Sequence, residues 1–331
     1  MKAYIISGPQ NLGADNLKLM DIPTPNATDD LVLVQTEAVG LNPVDYKLAD
    51  DGNQNWHYPH VLGVDVAGII VACGKNAKTS LRVGDRVCGH ANLEENGTFG
   101  EYVLMHDYSL ALIPETVTFE QAASILCGGM SAFQALYRKA NLTGKSTILI
   151  HGGAGGVGSV AIQLAKRLGL TVITTVSSKK IEFVKMAGAD HIIDYQTENV
   201  TEHVLKLTNG QGVDISINSI SNEEIMQDIL NRLAYNGQVI SLTNSPFNVN
   251  MLDLAEKGLT ISALNLGGAH RFHTLSEKAD LATMAQELVQ MIANNELDPM
   301  IGKIISFDNL VDGLRALKAS QVTGKIVVKL S

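Results

Sequence analysis

The spacing of apolar residues changes character about a third of the way along the chain. Before residue 120 the apolar positions come in short runs broken by glycine and proline: Lys2–Ile6, Leu31–Val39, Val66–Ala72, Arg86–Cys88 and Phe99–Leu104. Runs of that length with such punctuation predict short strands and a β-rich unit. Beyond residue 120, apolar strands alternate with helical patterns. Thr147–Ile150 predicts a strand and Val157–Leu168 a helix. In that helix Val157, Val160, Ala161, Leu164, Ala165 and Leu168 recur at the three- and four-residue spacing of a single buried face. Strands are predicted next at Thr171–Val176, His191–Ile193, Val213–Ile217, Gln238–Leu242 and Leu259–Leu266. Helices are predicted at Lys180–Ala187, Val200–Leu207, Glu223–Ala234 and Leu252–Lys257. Strands that alternate with helices in this way predict a doubly wound parallel sheet, an α/β fold. The remaining pattern, helices Leu281–Ala293 and Leu310–Ala319 and strand Lys325–Leu330, suits either an extension of that sheet or a return to the first unit.

Composition narrows the classes of function. A length of 331 residues suits two domains. Hydrophobic residues at 45% and charged residues at 18% supply cores and exclude a disordered chain. The net charge of −9 argues against nucleic-acid or anionic-membrane partners, which need a basic patch. Three widely spaced cysteines, Cys73, Cys88 and Cys127, exclude a four-cysteine zinc lobe and point away from a disulfide framework. The opening apolar run is too short for a signal peptide, and no run approaches the roughly 18 residues of a membrane span. The expectation is a soluble protein of a reducing compartment, the cytoplasm.

The chemistry concentrates after the strand Thr147–Ile150. It runs into His151-Gly152-Gly153-Ala154-Gly155-Gly156-Val157-Gly158 and directly into a helix. Gly153, Gly155 and Gly158 make a G-x-G-x-x-G motif between a strand and an amphipathic helix, the context that gives this motif meaning. The first glycine permits the turn, the second admits a pyrophosphate and the third lets helix and strand pack; the helix N-terminus offers N–H groups to the anion. An NAD site wants a carboxylate at the end of the next strand. Between Thr171 and Lys180 there is none; Ser177, Ser178, Lys179 and Lys180 stand there, donors and cations suited to the 2′-phosphate of NADPH. Ser178 also suits the cap of the next helix.

The chain resembles the zinc-independent quinone oxidoreductase branch of the medium-chain dehydrogenase/reductases. The resemblance rests on Val39-Gly40-Leu41-Asn42-Pro43-Val44-Asp45-Tyr46-Lys47, Leu62-Gly63-Val64-Asp65-Val66-Ala67-Gly68, Val83-Gly84-Asp85-Arg86-Val87 and Gly97-Thr98-Phe99-Gly100-Glu101-Tyr102. To these are added the glycine loop, Gly188-Ala189-Asp190-His191-Ile192-Ile193-Asp194-Tyr195 and the terminal Gly324-Lys325-Ile326-Val327-Val328. It implies a GroES-like β-barrel catalytic domain (residues 1–120 and 268–331) around an inserted Rossmann domain (121–267). Zinc-dependent relatives place a cysteine ligand where this chain has Asn42, a proton-relay hydroxyl at Val44 and a histidine ligand at Val64, which leaves Asp65 alone. No metal is therefore expected, and Cys88-Gly89-His90 and His270-Arg271-Phe272-His273 read as structural or surface residues without companion ligands.

Residue by residue, the resemblance implies Asn42 and Tyr46 as catalytic residues, Tyr46 donating to the substrate oxygen and Asn42 orienting substrate or water. Around NADP(H) it implies Ser131, Gly153, Ala154, Gly155, Gly156, Val157, Gly158, Ser177, Ser178, Lys180, Tyr195, Asn218, Ser219, Leu242, Thr243 and Lys325. Ser131 alternatively caps a helix. The glycines of Leu266–Phe272 suggest a mobile lid that carries His270 or Arg271 to cofactor or substrate, or else a plain crossover loop. Without a metal to neutralise an alkoxide, hydride delivery to a quinone or an α,β-unsaturated carbonyl is favoured, since its charge spreads over an enolate or hydroquinone oxygen. An enoyl-thioester reductase and an NADPH-binding protein with little turnover, a redox sensor or a structural protein, are the alternatives. A homodimer paired along the apolar strand Leu259–Leu266 completes the expectation.

Overall fold

The computed structural model describes residues 1–77, 80–220, 228–242, 251–272 and 274–330. It divides into two compact units, residues 1–130 with 266–331, and residues 131–265. The first begins with β1 (Lys2–Ile6), β2 (Lys18–Asp21), β3 (Leu31–Gly40), helix α1 (Pro43–Asp51), β4 (His60–Val61) and β5 (Asp65–Cys73). It continues through β6 (Arg86–His90), β7 (Tyr102–His106), β8 (Leu110–Leu112) and α2 (Phe119–Ser124), and α3 (Cys127–Gln134) carries the chain from the first unit into the second. The second unit contains β9 (Thr147–His151), α4 (Gly158–Arg167), β10 (Thr171–Val176), α5 (Ile181–Met186), β11 (His191–Asp194), α6 (Val200–Leu207), β12 (Val213–Asn218), β13 (Leu233–Ser241), α7 (Met251–Lys257) and β14 (Thr260–Ala263). The chain then returns to the first unit with α8 (Leu275–Ala293), β15 (Ile301–Ser306), α9 (Leu310–Lys318) and β16 (Lys325–Lys329).

In the first unit one sheet runs β15-β16-β3-β5-β6-β8 with β7 also on β3, and a smaller one runs β2-β1-β4. Among the described residues the pairings of this unit are antiparallel except that of β15 with β16. Phe99, expected at the start of a strand, lies in a loop before β7. It is fully buried, its N–H donates to Leu62 O at 2.8 Å and its carbonyl accepts from Tyr4 at 2.8 Å. A large aromatic thus fills the core while the loop backbone satisfies its polar groups.

The second unit is a six-stranded parallel sheet of order β11-β10-β9-β12-β13-β14. In α4 the expected face is buried at Val160, Ala161, Leu164 and Ala165; burial of one such leucine stabilises the unit by about 1.5–3 kcal/mol. Two expectations change. The helix read to Ala234 gives way to β13 at Leu233, where the backbone pairs with Val213; residues 223–227 lie outside the described residues. The long apolar edge strand read at Leu259–Leu266 is only the four residues of β14, because Leu264 and Leu266 are buried and the chain then enters a 3-10 turn at Gly267–Arg271. No helix among the described residues is long and apolar enough to cross a membrane.

Candidate active site

The glycine loop of the second unit is shaped by what a side chain would strike. A Cβ on Gly153 would lie 2.1 Å from Thr174 Oγ1, and one on Gly158 would lie 2.4 Å from the Gly152 carbonyl. Those two glycines hold β9, β10 and α4 together. Gly155 is exposed, and a Cβ there would come no nearer than 3.4 Å to other protein atoms. The loop is therefore tight on its protein side and open at its middle glycine, at the positive end of the α4 dipole; the Ser159 and Ala161 N–H groups already donate to the Gly155 and Val157 carbonyls, at 3.0 and 2.9 Å. These residues fit a dinucleotide pyrophosphate. Ala154 is buried, whereas Gly156 and Val157 are partly exposed.

At the ends of β10 and β11 the structure brings Ser177, Ser178, Lys180 and Tyr195 together with one residue that the reading along the chain missed. Val176 and Asp194 are neighbours across the parallel ladder. The Ser178 hydroxyl donates to Asp194 Oδ2, and the Gln196 N–H donates to Asp194 Oδ1 at 3.0 Å. These hydrogen bonds, from Ser178 first, hold the Asp194 carboxyl below its ordinary range. The carboxylate sought within Thr171–Lys180 arrives instead from the neighbouring strand, and both its oxygens accept hydrogen bonds. Burial lowers the Lys180 pKa.

The remaining nucleotide candidates separate by role. The Ser219 hydroxyl donates to the His151 carbonyl at 3.2 Å, against the glycine loop. Asn218 is buried, and its side chain closes its own turn, with two 3.0 Å hydrogen bonds to the Ile220 backbone. The Leu242 N–H donates to Asn218 O at 2.9 Å; Thr243 lies outside the described residues. Ser131 is buried inside α3 rather than capping its start, because that helix begins at Cys127.

In the first unit Asn42 precedes α1 and Pro43 opens it. The Asn42 N–H donates to Asp45 Oδ2 at 2.7 Å, and Asn42 and Asp45 form the capping box of α1. The Asn42 amide donates to Asp65 Oδ2 at 2.8 Å, while its oxygen accepts from the Lys325 ammonium. Lys325 also donates to Asp65 Oδ2 at 3.1 Å, and the Cys127 N–H donates to Asp65 Oδ1 at 3.0 Å. The side chains of Asp65 and Lys325 are 0% and 4% exposed. Gly40 makes the approach feasible: a Cβ there would lie 2.9 Å from Asp65 Oδ2 and 2.5 Å from the Ala123 carbonyl. Lys325, expected at the cofactor, thus has its ammonium on Asn42 and Asp65. Tyr46 is half-buried and packs against the core that includes Leu41 and Ala49; among the described residues no hydrogen bond joins it to Asn42.

Burial pushes the Asp65 carboxyl above its ordinary range, against the pull of Lys325. Burial, with the Asp65 charge second, raises Asp45 to about 8, and Asp45 Oδ1 has no hydrogen-bond partner. A carboxyl whose folded pKa exceeds its unfolded value of 3.8 contributes stability at low pH that is lost as pH rises through 8. Asp45→Asn keeps an acceptor for the Asn42 N–H and carries no titration. Urea unfolding followed by the buried Trp56 should show the variant matching wild type near pH 4 and exceeding it by on the order of 3–5 kcal/mol at pH 9; equal stability at pH 9 would refute the assignment.

The histidines expected to stand alone do not. Donor atoms of Asp65, His90 and Cys127 lie within 4.8 Å of one another. His90 also meets His270, whose ring is buried by the turn Gly267–Arg271. In that turn Gly267 packs against the Leu93 side chain, and Arg271 pairs with Glu94 at 3.0 Å. His273 lies outside the described residues.

A β-rich unit interrupted by a parallel sheet with this loop defines a nicotinamide-dependent oxidoreductase. Residues 28–115 match the family described as alcohol dehydrogenase GroES-like domain, and residues 156–281 the family described as zinc-binding dehydrogenase. A quinone oxidoreductase from Sus scrofa is 30% identical over 323 residues, covering 96% of this chain and 95% of the relative. The trans-enoyl reductase buaC from Petromyces alliaceus is 29% identical and covers 98% and 95%. The solved quinone oxidoreductase of Pseudomonas syringae superposes with a TM-score of 0.87 at 29% identity, covering 99% of this chain and 100% of that one. The chain belongs to the quinone oxidoreductase branch of the medium-chain dehydrogenase/reductase superfamily, with the GroES-like and Rossmann domains of that fold.

Proposed function

We propose that this oxidoreductase uses NADPH to reduce quinones and α,β-unsaturated carbonyls, and does so without a catalytic metal. The observation that carries the reading is the Asn42–Asp65–Lys325 cluster. A dication held by Asp65, His90 and Cys127 would share Asp65 with an ammonium already 3.1 Å away. These donors do not fit a catalytic zinc. The nucleotide is held by the open Gly155 loop at the N-terminus of α4 and its 2′-phosphate by Ser177 and Lys180, while Ser178 gives its hydroxyl proton to Asp194; when bound, the nucleotide supplies the hydride. On the acceptor side Tyr46 donates to the substrate oxygen as charge develops there, and Asn42, whose amide protons go to Asp65 and the Gly40 carbonyl, orders the buried cluster rather than touching substrate.

NADPH oxidation with a naphthoquinone and with a simple enone tests the reaction, and fluorescence titration against NADH tests the cofactor. Consumption of an acceptor with tighter NADPH binding supports the reading. Equal or tighter NADH binding overturns the cofactor assignment, and one tightly held zinc per chain overturns the metal-free site. The likeness to a trans-enoyl reductase makes an enoyl thioester the second acceptor class to assay. Pairing of two copies along the edge strand β14 belongs to the same proposal; sedimentation as a 35.4 kDa monomer would refute it.

A further inference from the structure

The donors that meet beside Lys325 form a set of the kind a divalent ion of the zinc group takes. Asp65 and His90 are paired residues on the neighbouring strands β5 and β6, and Cys127 opens α3. One carboxylate oxygen of Asp65, one ring nitrogen of His90 and the Cys127 sulfur lie within 4.8 Å of one another. A fourth donor atom, the Asn42 side-chain oxygen, meets the same Lys325 ammonium that Asp65 meets. Oxygen, nitrogen and sulfur together suit Zn2+ and Co2+, and a tetrahedral ion with bonds of about 2.0–2.3 Å spaces its donors about 3.5 Å apart. Small side-chain rotations close that difference.

The chain itself puts a cation there. Lys325 begins β16, and two residues on Val327 stands opposite Gly40 of β3. Gly40 lacks the side chain that would crowd the lysine stem: a Cβ there would lie 3.0 Å from Lys325 Cε. The Lys325 side chain is 4% exposed, and its ammonium lies 3.1 Å from Asp65 Oδ2. Packing alone would be served by an apolar chain of similar length, without the desolvation of an ammonium. The charges show what the ammonium balances. With the Asp65 carboxylate it sums to zero. A dication on the Asp65 carboxylate and a Cys127 thiolate also sums to zero, once the thiol proton has gone to water. The two arrangements are electrically equivalent and mutually exclusive, because a dication on these donors would sit against the ammonium.

We propose that Lys325 is the resident cation of a latent divalent-metal site, and that its ammonium closes Asp65, His90, Cys127 and Asn42 to such an ion. The proposal rests on the metal-free reading of the site and deepens it. Removal of the ammonium leaves the Asp65 charge uncompensated and takes from Asn42 Oδ1 the donor it accepts from. A Zn2+ or Co2+ ion answers both: it bonds to an Asp65 oxygen, a His90 nitrogen and the Cys127 sulfur, with Asn42 Oδ1 or a water as the fourth donor. The Cys127 S–H bond gives way to a sulfur–metal bond, its proton passes to solvent, and no atom changes oxidation state. Mg2+, which prefers oxygen donors and keeps its waters, is not taken up.

The test uses the full chain, dialysed against chelator and then titrated with Co2+, and compares wild type with Lys325→Ala and Lys325→Gln. Wild type should bind no stoichiometric Co2+. Each variant should bind one ion per chain, at least about 100-fold more tightly than wild type. A sulfur-to-cobalt charge-transfer band should accompany binding and be absent from Lys325→Ala/Cys127→Ser. Zn2+ should bleach that band and raise the Tm of the variants, and Mg2+ should do neither. Lys325→Gln keeps an amide donor for Asp65, so the titration survives a folding defect in Lys325→Ala. Where a variant unfolds in chelator, added Zn2+ should restore its Trp56 fluorescence, and no recovery overturns the proposal. A folded variant that takes up no Co2+, or takes it up without the band, overturns the latent site and leaves Lys325 as a structural ion pair, with the metal-free reading intact. Wild type that holds one zinc or cobalt ion per chain overturns that reading, and the proposal with it.

Discussion

Gly158→Ala should abolish nucleotide binding and destabilise the Rossmann domain, whereas Gly155→Ala should abolish binding alone. The two positions differ in what a methyl group meets. At Gly158 it would lie 2.4 Å from the Gly152 carbonyl and 2.7 Å from Gly153 Cα, both backbone atoms of the loop. Neither can swing aside as a side chain does, so α4 must shift off the loop, at a cost of about 3 kcal/mol. At Gly155 the nearest protein atom is 3.4 Å away, an ordinary contact, and stability should change by less than about 0.5 kcal/mol. The methyl would then occupy the space left for the pyrophosphate. NADPH titration should show a dissociation constant at least about 100-fold higher for both variants, equivalent to about 2.7 kcal/mol of binding. Far-ultraviolet circular dichroism during urea unfolding should separate them. A Gly155→Ala protein that binds NADPH as wild type does would show that the loop holds no pyrophosphate.

What could be read along the chain was whatever is decided locally. The glycine loop, the buried stripe of α4 and the parallel strands declare themselves within windows of ten to twenty residues, because periodicity and turn chemistry are short-range. The polar cluster of the barrel does not. Asn42 and Asp65 are 23 residues apart, Lys325 is 260 from Asp65 and 283 from Asn42, and His90 is 180 from His270. Spacing therefore made His90 and His270 look isolated, and Lys325 was legible only as a cofactor contact carried over from a resemblance. Asp194 was hidden by a shorter distance, 16 residues from Ser178, because a parallel crossover delivers it to the neighbouring strand end. Nothing in the chain around Asp45 signals its role. Asp45 accepts from the Asn42 N–H while the Asn42 amide donates to Asp65, a division of labour visible only in three dimensions.

Lys325→Met should destabilise the barrel by about 3–5 kcal/mol at pH 7, the cost of stranding one member of a buried ion pair. Asp65 keeps the Asn42 amide and the Cys127 N–H when the ammonium goes, but loses the cation that offsets its burial. Its carboxyl should then rise further and hold its proton in the folded state. A folded pKa above the unfolded one makes stability fall with increasing pH. The variant should therefore approach wild type near pH 4 and diverge from it towards neutrality. The double variant Asp65→Asn/Lys325→Met removes both charges and should recover most of the loss, since the pair's attraction largely offsets its own desolvation. The readout is built in: Trp56 is the single tryptophan, lies in the barrel core and stacks on His60 at 4.1 Å, so its fluorescence reports this unit. A single variant as stable as wild type at pH 7 would mean that Lys325 does not balance Asp65. In that case the case against a dication at Asp65, His90 and Cys127 would lose its electrostatic ground.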